Sequence, residues 1–157
     1  MKVTTTGFKE ALLMMKDMKL AVQRPILKRA LATAAAPIVF RAKRNANQFK
    51  DSSLLADSIG VAVKVDRAGH ALADIRPYGG KVVVEQTEPD GKKNQRTTRA
   101  SAYAHIIEFG SKHVHAHPFM RPALDGGLAE AKAGFVAEVR SGLERIEKKA
   151  ARAKKKK

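Results

Sequence analysis

Residues 59–86, IGVAVKVDRAGHALADIRPYGGKVVVEQ, decide the fold. Ile59, Val61, Val63 and Val65 alternate with Gly60, Ala62, Lys64 and Asp66, the period of a half-buried strand. Asp66 to His70 contains a glycine and reads as a turn. Residues 71–76 read as a second strand, Pro77-Tyr78-Gly79-Gly80 as a second turn, and Lys81 to Gln86 as a third, Val-rich strand. Short turns between consecutive strands imply an antiparallel meander, because parallel neighbours need a long crossover.

Helical periodicity flanks this block. Upstream, Phe8, Ala11, Leu12, Met15, Met18 and Val22 share one face of a helix over residues 7–22. Its methionines suit core filling rather than a binding groove. A second helix is predicted from Pro25, with Leu27, Leu31, Ala34, Ala35, Ile38, Ala42 and Phe49 on one side. Pro37 removes the hydrogen bond to the Thr33 carbonyl and predicts a kink or break there. Downstream, residues 87–101 (TEPDGKKNQRTTRAS) have almost nothing to bury and read as a long polar loop. Tyr103 to Phe109 reads as a short helix or a strand, with Gly110 just past its end. Ser111 to Phe119 reads as extended. Pro122 opens a last helix with the stripe Leu124, Leu128, Ala131, Phe135, Val139, Leu143 and Ile146. The expected fold is α+β: N-terminal helices, a small antiparallel sheet of three to four strands, and a long C-terminal helix. Residues 1–147 are expected to form one domain with a mobile loop at 87–101, and residues 148–157 a basic disordered tail.

Composition narrows the function. The 157 residues include 31 Lys+Arg and 15 Asp+Glu, a formal net charge of +16. Residues 1–50 carry 11 basic and 2 acidic side chains, residues 51–139 carry 11 of each, and residues 140–157 carry 9 and 2. The body is neutral and the ends are basic. Such ends either contact phosphate or serve as solvated, solubilising faces. Arg41, Lys43, Arg44, Arg152, Lys154, Lys155, Lys156 and Lys157 are the candidates to face DNA. The chain has no Cys, which excludes disulfides and thiolate metal sites. No apolar run approaches the ~18 residues of a membrane span, and the first residues show no secretory core. Aromatic residues make up 5% with no Trp, too few for a base-stacking platform.

No enzyme signature survives. Gly79-Gly80-Lys81 lacks the spaced glycine of a phosphate loop, and no metal-hydrolase or nucleophile-elbow motif is present. An extended strand would put His113, His115 and His117 on one side, a transition-metal grip that His105 could join. No carboxylate or Cys accompanies them, so the reading is a polar edge, with no metal and no cofactor.

The stretch 103–123, YAHIIEFGSKHVHAHPFMRPA, is more specific. It resembles the signature of a family of small tailed-phage minor tail components, grouped with neck, head–tail joining and tail-completion proteins. The matching positions are Tyr103, Ile107, Glu108, Phe109, Gly110 and Ser111, then Pro118, Phe119, Met120, Arg121, Pro122 and Ala123. The order of elements is similar over roughly residues 7–146. The chain departs from the family in Ser52-Ser53-Leu54-Leu55, where a glycine often precedes the first strand, and in its His-rich spacer and Lys-rich tail.

The resemblance implies a virion protein of the neck or tail end, made in the host cytoplasm. It would act by ring assembly with itself and other phage proteins in head–tail joining or tail completion, without catalysis or membrane contact. The alternative is a non-specific nucleic-acid-binding architectural protein. Physically, Gly110 can take positive φ, Pro118 and Pro122 stiffen the segment, and Phe119 is an apolar anchor. Glu108 and Arg121 are expected to form a charge pair or to face a neighbouring subunit.

Overall fold

The computed structural model describes residues 10, 13, 19–48, 53–79, 81–87 and 93–154. The elements are α1 (Leu20–Ala46), α2 (Ser53–Ser58), β1 (Ile59–Val65), β2 (Ala71–Pro77), β3 (Lys81–Thr87), β4 (Lys93–Arg99), α3 (Ala100–Phe109) and α4 (Met120–Lys154). The α+β class and the helix–strand–helix order follow the sequence pattern. Of the helix expected over residues 7–22, Glu10 and Leu13 are helical, residues 20–22 belong to α1, and most of the remainder lies outside the described residues.

The sheet differs from expectation. β1 pairs with β2, and β3 pairs with β4 in a second sheet, so each sheet has two strands and not three to four. β3 and β4 run antiparallel in unbroken register from Lys81↔Arg99 to Thr87↔Lys93. Thus residues 93–99 of the stretch expected as a polar loop form strand β4. A hairpin ladder is satisfied by backbone groups, so the lack of apolar side chains in KNQRTTR did not forbid it. The Pro77–Gly79 turn, with Gly79 at φ 68°, leads the chain out of the first sheet. The Asp66–His70 turn closes the other hairpin. Asp66 N–H donates to the His70 carbonyl at 2.9 Å, and Gly69 takes φ 93°.

Two expectations about helices also change. α1 starts at Leu20 instead of Pro25 and continues as helix through Pro37. Lys19 supplies the first carbonyl, accepting from Val22 and Gln23 at 2.8 and 3.1 Å. Immediately before β1, Ser53–Ser58 forms a short helix where the flanking sequence suggested no separate element. Its Leu55 and Ala56 are buried, and the Ser58 hydroxyl donates to the Leu55 carbonyl at 2.7 Å.

The chain divides into two compact units. The first comprises Met1–Pro37, Ala62–Asp74 and Gly127–Lys157; the second comprises Ile38–Val61 and Ile75–Gly126. The first has a core of Ile26, Leu27, Ala30, Phe135 and Val139, with Leu31, Val65, Ala71, Leu143 and Ile146 against it. Here α1 and α4 approach closely. A Cβ on Gly142 would sit 2.9 Å from Ile26 Cγ2, and one on Gly134 would sit 3.8 Å from the Thr33 carbonyl oxygen that Pro37 frees. An exposed ion-pair set adds little to this: Glu138 meets Arg29 at 3.5 Å and Arg145 at 2.5 Å.

The second unit has a different core. Phe119 and Leu55 are its large members, set among Ala42, Ala46, Ala56, Ala100, Ala104 and Ala123, with Ile59. Six alanines make a socket and one aromatic ring fills it. At the start of α4 the inward row is Ala123, Gly127 and Ala131, one residue out of phase with the expected Leu124 and Leu128, which are exposed. Small residues at i, i+4 spacing form the buried face here, and a search for large apolar side chains passes over them.

Candidate functional site

The distinctive geometry lies in the second unit, where α3 ends and α4 begins. α3 carries Ala100 and Ala104 inward, and one turn later the same face presents Glu108, a charged residue only 7% exposed. A buried carboxylate needs partners. It finds them in the start of α4. Glu108 Oε2 accepts from Phe119 N–H at 2.8 Å and Met120 N–H at 2.9 Å, and Oε1 accepts from Arg121 N–H at 3.1 Å. A helix start leaves its first four N–H groups without intrahelical partners. Here Glu108 takes three of them, and the fourth position is Pro122, which has no N–H. The negative charge also sits at the positive end of the α4 dipole.

The intervening chain is fixed at each step. Gly110 ends α3 at φ 79°, and its N–H donates to the Ile106 carbonyl at 2.8 Å. A Cβ there would meet Ala116 N at 2.9 Å and Val114 O at 3.0 Å, so glycine is required for both conformation and space. Ser111 N–H donates to Val114 O at 2.8 Å, and His117 N–H donates to Ile107 O at 2.7 Å, capping a carbonyl at the end of α3. Pro118 then leads into Phe119, which is 1% exposed in the alanine socket. Asn45, from the last turn of α1, donates its amide to the Phe119 carbonyl at 3.2 Å.

The expected charge pair between Glu108 and Arg121 takes another form. The link is through the Arg121 backbone N–H, while its guanidinium carbon lies 4.7 Å from the Phe109 ring centroid. Such an exposed stack contributes about 0.5–1 kcal/mol. Phe109 is itself 62% exposed. Beside it lies an open groove of about 500 Å³, with Ile75, Arg76, His105, Phe109, Met120 and Arg121 among its lining residues. Arg76 also lies against an aromatic ring, 4.9 Å from the Tyr78 centroid. Burial raises the Tyr103 phenol above its ordinary value.

The structure brings together Glu108, Phe109, Gly110, Phe119, Arg121 and Pro122 from the sequence motif. Ile107 and Tyr103 pack against the Phe119 core, and Ser111 holds the connecting turn. His113, His115 and His117 are exposed on a bent segment, not on a straight strand. Among the described residues no group of three or more His, Asp or Glu is arranged to hold a metal ion.

The candidate DNA-facing cations come from two stretches of the chain, one in each compact unit. Arg41 is half-buried, with its guanidinium against Gly126. Lys43 and Arg44 occupy the last turn of α1, where cations complement the helix dipole. Arg152 is exposed in α4; Lys154 is the last residue of that helix, and Lys155, Lys156 and Lys157 lie outside the described residues.

Sequence reasoning missed Asn45 and the β2 residues Ile75 and Arg76. Asn45 follows Arg44 in a run of polar residues with nothing to mark its amide as a cap. Ile75 and Arg76 lie well upstream of Tyr103, where the motif they flank begins.

Among the described residues, no helix is long and apolar enough to cross a membrane. No curated protein and no solved structure matches the chain significantly. The sequence pattern of one family does match, over residues 14–110, and its description reads "Bacteriophage HK97-gp10, putative tail-component". The matched span ends at Gly110, so it takes in the Ile107-Glu108-Phe109-Gly110 half of the motif. It covers more than half of the sequence, and the chain belongs to the HK97-gp10-like family of phage tail components.

Proposed function

We propose that this tail component is a structural protein of the virion that acts by assembly, in head–tail joining or tail completion, as one subunit of a ring. The observation that carries the reading is the contrast at the motif. Glu108 and Phe119 lock the α3–α4 junction inside the subunit, while Phe109 stays 62% exposed beside an open groove. A rigid junction presenting an aromatic and an arginine is suited to a partner surface, because these residue types dominate interface energetics. No step of bond making or breaking is required of it. In such a ring the basic end of α4 would lie toward packaged DNA, held by charge alone.

Electron microscopy of lysates after deleting the gene tests the assembly role. Filled heads beside separate tails of normal length support joining or completion, whereas overlong tails indicate length termination. Normal joined virions would remove the proposal. Neutralising Lys154–Lys157 tests the DNA contact, with reduced infectivity expected.

A further inference from the structure

We infer that the groove beside Phe109 is the docking site for a short acidic peptide segment of another virion protein, one that carries an apolar side chain beside its carboxylates. The inference rests on the assembly reading above and names the chemistry of the partner that this surface takes. Size sets the first limit. A groove of about 500 Å³ lies within the roughly 300–1,000 Å³ range of sites that enclose compact ligands, so it takes a short segment and not the flat face of a folded domain. Its lining includes Ile75, Pro77, Ala104 and Met120, which favour an apolar side chain.

Charge sets the second limit. Arg76 and Arg121 also line the groove, and both are exposed. Each lies against an aromatic ring, Arg76 at 4.9 Å from the Tyr78 centroid and Arg121 at 4.7 Å from that of Phe109. A ring against its face holds a guanidinium in place, while its N–H donors stay in the plane, where a carboxylate can accept from two at once. The Arg121 guanidinium has no carboxylate partner among the described residues. The one acid among the described lining residues, Glu108, is buried, and its oxygens accept from the Phe119, Met120 and Arg121 N–H groups. The groove is therefore cationic at its surface and complements carboxylates. The same features argue against nucleic acid as the occupant. Single strands are held by cations that track the phosphates and by rings open to stacked bases. Here two arginines accompany an apolar lining, and the Phe109 ring already carries Arg121.

Selection of a displayed random-peptide library on the purified full-length protein tests this, followed by fluorescence-polarisation titration of the selected peptides. The expected peptides place Asp or Glu within a few residues of Leu, Ile or Phe. Arg121→Glu and Arg76→Glu should each weaken their binding about five- to tenfold, by reversing one charge in the groove. Arg152→Glu changes the net charge equally but does not line the groove, and it should leave the affinity unchanged; this separates docking from the general attraction of a +16 chain for acids. His105→Glu, exposed on the α3 side of the groove, adds a negative charge there and replaces either arginine variant that fails to fold. An empty selection, selected peptides without acids, or affinity that survives every groove substitution overturns the inference. So does an oligothymidylate whose binding falls with these substitutions while no peptide is selected, which would assign the groove to nucleic acid. Self-association of the parent chain that Arg121→Glu abolishes would likewise overturn it, in favour of a second copy. If the peptides fail while the gene deletion still yields separate heads and tails, assembly stands and only the docking partner is wrong. Normal joined virions from the deletion would instead remove the assembly role, and with it the virion source of the peptide.

Discussion

The two compact units are held by different physics. In the first, Ile26, Leu27, Leu31, Phe135, Val139, Leu143 and Ile146 overlap along two helices, so no single side chain dominates. In the second, one ring in an alanine socket and one carboxylate on a helix start hold several elements together. The first should weaken by increments and the second at single points. Distributed packing tolerates change because neighbouring long side chains can shift into a vacancy; alanines cannot.

The sharpest way to break this contrast is Phe119→Ala. Its short neighbours cannot fill the cavity, so a loss of about 3–5 kcal/mol is expected in urea unfolding. A loss under 1 kcal/mol, with assembly abolished, would mean that Phe119 serves a partner instead. Glu108→Ala comes next, at about 3 kcal/mol, because three N–H donors lose their acceptor together. Glu108→Gln keeps one acceptor oxygen and should recover part of that loss; no loss for either variant would show that the cap contributes nothing.

Glycines sharpen the comparison further. Gly110→Ala places a Cβ at positive φ against backbone, and a loss of about 2 kcal/mol is expected. In the first unit, Gly134→Ala meets only ordinary contacts, the nearest at 3.7 Å, and gains helix propensity. A rise in stability of about 0.5–1 kcal/mol should follow. A loss there would show that the helices approach more tightly than the structure gives.

The smallest effects separate the units by pH. In the first, the His70 side chain hydrogen-bonds the Asp66 carboxylate and holds it below its ordinary value of 3.8. A depressed carboxyl stabilises the fold above that value, and the contribution is lost as pH falls through the folded value. In the second, burial raises the Tyr103 phenol above 10.0. The neutral form is then favoured by the fold, so its contribution persists below pH 10 and is lost above it. Residue-resolved NMR titration should show Asp66 shifting at the acid end and Tyr103 at the alkaline end. Asp66 titrating at its ordinary value would show that the turn does not hold in solution.

Legibility follows the range of the interactions. The stripe from Phe135 to Ile146 and the alternation from Ile59 to Val65 are local periodicities, and they were readable directly. Over Tyr103–Phe109 the local pattern left helix and strand open, and only the stop at Gly110 was readable. The chain order of the motif was visible, but not what Glu108 meets, since its partners lie 11 to 13 residues away. Leu124 and Leu128 were misread as core because large apolar residues drew attention from the Ala123, Gly127 and Ala131 row beside them. β4 was missed because its ladder depends on backbone pairing with β3.

By itself the sequence determined the α+β class, the basic ends around a neutral body, the absence of cysteine chemistry and the motif that ties the chain to a tail-component family. These are properties of composition and of short repeats, which survive in any conformation. Only the tertiary structure decided that β3 pairs with β4, that Arg121 stacks on Phe109, and that Glu108 is buried against the start of α4. Each is a choice among partners that the sequence leaves open; the strand pairing and the Glu108 cap are settled by backbone groups that would otherwise lack a hydrogen bond, and the stack by the ring that the α3 end holds beside Arg121.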